Sequence, residues 1–485
     1  MAASASSGIA EMSASLSGIL NEKHCPEHLQ ILKSFTTALR EKEYRDAVNE
    51  SVLSPLLHVL SRLHDQLRDQ LHTAVPAQGQ DVPSVTLELQ LTAECFRAQR
   101  NACVQSTGNQ SLLRDLGFIN VTLKILKYLQ TKEDQDVLEP LRCGIQFIGN
   151  VAVGNETCKE DIWQLSVPDQ LLQLLCVDDE KTVTYASMVV HTCLDEAKVE
   201  TLALPENIPL ALKVMELCRT QPDIDWTVLI ATQHFLKCAA LVEAMYTRMQ
   251  HHDRVTLLEL LLAQLREDDS ECGVPPAVAS FLASSFQSGC SAVLTLATGA
   301  VSSNEVLQEA LTVISLLDVL CEMSSDHAEF MFLQDHPDLL TNTTDLLAQV
   351  HAIGKSSKNI FSASQNFSSF SGDTQLSPVV SFKAHLIRLI GNLCHNNNNN
   401  QNKMRELDGI PLILDNCNID SNNPFINQWA IFAIRNLLEN NLENQKVVAS
   451  LEQRGAADYS ALRELGFEVE ERDGGLLLKT IRKDT

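Results

Sequence analysis

Three pairs of asparagines pose the chemical question in this chain. Asn101 and Asn109, Asn392 and Asn400, and Asn436 and Asn444 each stand eight residues apart, and Gln follows the second member every time. The strings are QRNACVQSTGNQ, IGNLCHNNNNNQ and IRNLLENNLENQ, and a fourth, IGN at 148–150, keeps only the first half of the phrase. A carboxamide offers donors and an acceptor without charge. On a helix surface it can bond the backbone of an extended peptide; in a turn it can tie down neighbouring backbone. Asn109, Asn400 and Asn444 read as turn ties. Asn101, Asn150, Asn392 and Asn436 fall earlier, on a helix, and are candidates for a partner-binding groove. Hydrogen bonds between repeats are the competing role for them, and spacing alone leaves both open.

Four residues before those helix asparagines stand Arg97, Gln146, Arg388 and Phe432. Nuclear-import adaptors built of armadillo repeats carry Trp at that place and grip basic peptides there. Here Arg97 and Arg388 instead put a guanidinium one helical turn from the Asn, which suits a carboxylate or a phosphate. Both join the list of groove candidates.

Other chemistry is hard to find. The chain has no Gly-x-Gly-x-x-Gly, no His-Glu-x-x-His and no Gly-x-Ser-x-Gly, and Gly354-Lys355-Ser356 is only a fragment of a phosphate loop. His58, His64 and His72 are spaced so that they share no helix face well enough for a metal. The fourteen cysteines include no Cys-x-x-Cys and mostly lie in apolar runs, as small fillers in a reducing compartment would. The sequence predicts no catalytic residue, no metal and no cofactor, hence no enzyme. With 37 Lys and Arg against 62 Asp and Glu, the formal charge of −25 disfavours nucleic acid and leaves room for a basic partner. No run of eighteen uninterrupted apolar residues is present, so no membrane insertion is expected.

The elements that must carry these residues are helical. In HLIRLIGNLC, Leu386, Leu389, Ile390 and Leu393 recur on one helix face. WAIFAIRNLL is almost continuously apolar and reads as a helix buried between neighbours. A polar turn and a shorter helix follow each such segment. In LDGIPLILDNC, Gly409 is expected to close one helix and Pro411 to start the next. Asn392 to Asn436 is 44 residues and Asn101 to Asn150 is 49, at or near the ~40–47 of HEAT and armadillo repeats. Aligning LLDVLCEMS with LIGNLCHNN puts Val319 where the Asn would be, so the middle repeats have an eroded phrase.

The expected fold is all-α: a right-handed α-solenoid of armadillo/HEAT-like repeats, with a small C-terminal β-hairpin suggested around Asp473-Gly474-Gly475. By composition the chain divides into an N-terminal helical region with a flexible start (1–72), a loop (73–85), armadillo-like repeats (86–351), a Ser/Asn-rich mobile insertion (352–380), further repeats (381–465) and a terminal hairpin or tail (466–485). Ser377-Pro378 is a candidate phosphosite within an insertion whose composition otherwise reads as a plain Ser-rich loop.

HLIRLIGNLC and RELDGIPLILDNCNIDSNNPFINQWAIFAIRNL, within 385–437, resemble the ataxin-10 family, as do ECFRAQRNACVQSTGNQ (94–110) and LRCGIQFIGNVA (141–152). The resemblance implies a non-enzymatic cytoplasmic and perinuclear scaffold, linked to neuron survival, neurite outgrowth and cytokinesis, and to the centrosome, the ciliary basal body and the midbody. Implied partners are a heterotrimeric G-protein β subunit, the O-GlcNAc transferase and mitotic kinases; homo-oligomerisation is left open. The alternative from the same fold is a transport adaptor for basic cargo peptides. The Asn run 396–400 departs from that family's more mixed polar turn and is expected to alter only loop length and flexibility.

Overall fold

The structure, a computed structural model, describes residues 2–21, 24–72, 86–132, 134–267, 273–298, 304–326, 328–355, 360–361, 379–418, 420–451, 467–472 and 475–480. Ser377, the loop 73–85 and most of the insertion lie outside them. The chain separates into two compact units, Met1–Arg248 and Met249–Thr485.

In the first unit the long helices Pro26–Ala38, Thr86–Ala102, Leu138–Ala152, Glu180–Cys193 and Asp225–Gln233 pack each against the next. Shorter helices fill the second layer, as Thr107–Leu116 and Phe118–Leu129 do between two long ones. The second unit repeats the scheme with His251–Arg266, Asn304–Asp326, Phe382–Leu393 and Ile426–Leu438. This is an armadillo-like helical solenoid, in which each repeat buries its apolar stripe only against its neighbours. The heptad-like stripe read from the sequence is the buried one: Leu386, Leu389, Ile390 and Leu393 are all fully covered. Phe467–Arg472 and Gly475–Thr480 run antiparallel, with Phe467 opposite Thr480.

Two expectations are corrected. The helix Ile426–Leu438 is buried on one side only: Ala430, Ala433 and Leu437 are covered, whereas Ile431 is 62% exposed. Ile387, at the equivalent place 44 residues earlier, is fully buried, because there another long helix follows. The second correction concerns Gly409, which does not close a helix. Asp408 takes the left-handed conformation (φ 53°) and Gly409 begins the helix Gly409–Leu414, with Pro411 inside it. The position is crowded: an added Cβ would lie 2.2 Å from the Met404 methyl, which would have to move, and 3.2 Å from the Met404 carbonyl oxygen.

By length and composition alone the stretch Pro276–Ala297 is apolar enough to cross a membrane, with a mean hydropathy of 1.3 over an 18-residue window. Its Val278, Leu282 and Phe286 are fully buried in the second unit.

Gly391 sets how closely two long helices approach. A Cβ there would stand 3.0 Å from the Phe432 ring and 3.1 Å from the Ala433 Cα. Gly391→Ala would gain up to ~1 kcal/mol of helix propensity but overpack the contact at a cost of ~1–3 kcal/mol. The expected result is a net loss of about 1 kcal/mol, read as a lowered urea midpoint with unchanged slope.

Candidate functional site

The repeated phrase builds one device several times. At the position four after each helix asparagine the backbone turns left-handed: Gln105 (φ 53°), Gly154 (71°), Asn396 (53°) and Asn440 (55°). The next residue caps the following helix. Ser106, Asn155, Asn397 and Asn441 accept side-chain hydrogen bonds from the backbone N–H of Asn109, Cys158, Asn400 and Asn444. Asn tolerates the left-handed well better than most residues and is among the best N-caps. Two residues of the Asn run 396–400 therefore have fixed roles as turn and cap. The run is not a spacer of adjustable length, since Asn398 already begins the helix Asn398–Glu406.

The second asparagine of the phrase reaches backward. Nδ2 of Asn109 donates to the carbonyls of Ala102 and Arg45, both at 3.0 Å. Nδ2 of Asn400 donates to Leu393 and Gln334, both at 2.8 Å. Nδ2 of Asn444 donates to Leu437 at 2.8 Å and Gln401 at 3.0 Å. Each ties the end of its own long helix to the preceding repeat. In two of the three phrases the glutamine that follows reaches forward: Nε2 of Gln110 donates to Asn150 and Val153, and Nε2 of Gln401 to Asn436, whereas that of Gln445 donates to Leu438 of its own repeat. Carbonyls at a helix C-terminus lack intrahelical partners, and the Asn-Gln dyad supplies them on both sides.

The helix asparagines join the same network. Nδ2 of Asn436 donates to Gly391 (2.9 Å), that of Asn392 to the Cys321 carbonyl and Ser324 Oγ (both 3.0 Å), that of Asn101 to Thr36 (3.0 Å) and that of Asn150 to Arg100 (3.4 Å). Asn392 and Asn436 are buried, and Asn101 and Asn150 half-buried. Each directs an amide donor to the preceding long helix, which is the inter-repeat role. Gln334, on the 3-10 helix Ala328–Asp335, belongs to the device but escaped the sequence reading. Its Nε2 donates to the carbonyls of Asn392 and His395, and its own carbonyl accepts from Asn400.

The arginines differ from one another. Arg97 is held by Glu94 (2.8 Å) and by Glu139 of the next long helix. Arg142 makes a forked pair with Asp179 on the next repeat. Arg100 donates to Gln146. Arg388 has a looser setting: Nη2 stands 3.4 Å from Glu322, which Arg266 also approaches at 3.5 Å, and its guanidinium lies over the Trp429 ring at 4.9 Å. Trp429 packs edge-on against Phe432, which occupies the place of the import-adaptor tryptophan. Burial pushes the thiols of Cys95, Cys321 and Cys394 well above the ordinary range, as befits apolar filler.

A family model described as the spinocerebellar ataxia type 10 protein domain matches residues 382–479. Ataxin-10 of Xenopus tropicalis is 42% identical over 450 residues, covering 92% of this chain and 90% of that one. Human ataxin-10 is 39% identical over 463 residues, 94% of this chain and 95% of that one. The Dictyostelium discoideum ataxin-10 homolog is 48% identical over 96 residues, 20% of this chain and 16% of that one. Among solved structures, SYS-1 aligns over 88% of this chain and 75% of its own at 11% identity, with a TM-score of 0.36.

Proposed function

The chain belongs to the ataxin-10 family, and from that premise we propose that it is a non-catalytic scaffold on which signalling and cell-division proteins assemble. One observation carries the reading. Most amides of the repeated phrase fix one repeat against the next, through bonds such as Asn109 to Arg45 and Gln401 to Asn436, while Gln445 closes the end of its own long helix. A row of helices held in register serves a surface that others dock on. The roles proposed for it are cytokinesis, neuron survival and neurite outgrowth. The proposed partners are a heterotrimeric G-protein β subunit, the O-GlcNAc transferase and mitotic kinases. The proposed locations are cytoplasmic and perinuclear, with the centrosome, basal body and midbody during division. The groove-facing side chains Arg97 and Arg388 are the proposed contact residues. Asn101, Asn150, Asn392 and Asn436 contribute by shaping the groove.

Direct binding tests the reading. Purified G-protein β subunit, O-GlcNAc transferase and a mitotic kinase are each passed over the immobilised full chain. The expected result is saturable micromolar or tighter binding by at least one. Depleting the chain from dividing cells is expected to raise the binucleate fraction, with rescue by re-expression. No binding by any of the three, with division unaffected, would overturn the proposal.

A further inference from the structure

The groove arginines are not equally spent, and the difference points to a ligand. Arg97 has two carboxylates at hydrogen-bonding distance, and Arg142 has a forked partner in Asp179. Arg388 has five N–H donors, as every guanidinium does. They meet one carboxylate contact at 3.4 Å, and Nε is buried with no hydrogen-bond partner. Two guanidinium groups, Arg266 and Arg388, share the single carboxylate of Glu322. The second carboxylate nearby, Asp318, is engaged by His385.

The position of the group is set by stacking instead of by ion pairing. The Trp429 face lies under the guanidinium at 4.9 Å, and Phe432 braces the indole edge-on. Stacking leaves the in-plane donors free, which is the arrangement that suits forked recognition of a carboxylate or phosphate. The Arg388 side chain is 15% exposed and that of Arg266 58%, so both can be reached from solvent. Half-buried Trp429 offers an apolar flank for the residues beside an anion.

We propose that Arg388, set on Trp429 and assisted by Arg266, is the receptor for an anionic side chain, carboxylate or phosphate, on an extended segment of a partner protein. The proposal deepens the scaffold reading and rests on it for the existence of a protein partner. On binding, the anion takes the donors that Glu322 meets only at long range, and Arg266 supplies the second charge. Arg97 has no such role, because its own carboxylates already occupy it.

The test uses the full chain and short labelled peptide libraries, randomised except for a central phosphoserine, glutamate, serine or lysine, with binding read by anisotropy. The anionic libraries are expected to bind about tenfold tighter than the serine library, the worth of one charge-assisted hydrogen bond. Arg388→Gln should erase that preference, with the melting curve as a check on folding. Glu322→Gln removes the competing carboxylate and should tighten anion binding, a gain that a merely structural role would not produce. Phosphoserine ahead of glutamate identifies a phosphorylated partner; equal binding identifies an acidic one. Equal binding of serine and anionic libraries, preference for lysine, or an Arg388→Gln variant with the preference intact would overturn the proposal. Whole partners binding the chain without any such preference would overturn it too, and would leave the scaffold reading standing.

Discussion

Asn109→Ala should destabilise the first unit by about 1–3 kcal/mol, since it leaves the Ala102 carbonyl without its donor, while the Arg45 carbonyl keeps the Val48 N–H. The bonds lost run to Ala102 in its own repeat and to Arg45 in the preceding one, and the side chain is 6% exposed, so water cannot replace them without opening the contact. The expected sign of the near-isosteric change is more informative. Asn109→Asp keeps the shape but at neutral pH sets an acceptor-only carboxylate against two carbonyl oxygens. It should therefore cost more than the alanine variant, and recover part of the loss as acid protonates it. Urea unfolding gives the size of the effect. Hydrogen exchange gives its place, with the largest rise in the helices Lys42–Asp46 and Thr107–Leu116. The Asn run offers an internal control. Asn398 and Asn399 are exposed, and their alanine variants should stay within about 0.5 kcal/mol of wild type. Asn400→Ala, one residue on, should lose its bonds to Leu393 and Gln334.

That contrast also marks how far the sequence could be read. The recurrence of Asn, an eight-residue step, then Asn-Gln is visible in the letters, and so is the apolar stripe that makes the flanking helix. The letters therefore carry the repeat length, the helical class and the turn. They do not say which way a helix asparagine points. A helix surface has a groove side and a neighbour side, and the choice depends on where the preceding repeat places its carbonyls. For Asn436 that carbonyl is Gly391, 45 residues away. Gln334 was illegible for a related reason. Val319, not Asn, stands at the aligned position of its long helix and is fully buried as filler, so only the forward-reaching half of the device survives. The N-terminal region hides its place in the network in the same way. Thr36 and Arg45 take part through backbone carbonyls, which any residue type would provide.

Acid should uncouple Glu180–Cys193 from the repeat before it, and Asp179 is the reason. This carboxylate caps the helix by accepting from the Thr182 N–H and hydroxyl, and it holds Arg142 of the preceding long helix through a forked pair. The Arg142 hydrogen bond, opposed by burial and reinforced by Thr182, pulls its pKa from 3.8 down to about 2. The side chain is 12% exposed, so solvent screens the pair little. A carboxylate with a depressed folded pKa adds stability that is fully present above its unfolded value. That stability is lost as pH falls through the folded value. Here the window runs from about pH 4 to about pH 2, and the shift corresponds to about 2 kcal/mol. Asp179→Asn keeps a good cap but not the charge. It should lose about 2 kcal/mol at pH 7 and little at pH 2, so the two unfolding curves converge on acidification. Asp179→Ala forfeits the cap as well, for about a further 1 kcal/mol at every pH. Curves for wild type and Asp179→Asn that stay parallel between pH 5 and pH 2 would refute the account. In that case the Arg142 pair would be a surface contact of no consequence, and register at this repeat would rest on apolar packing alone.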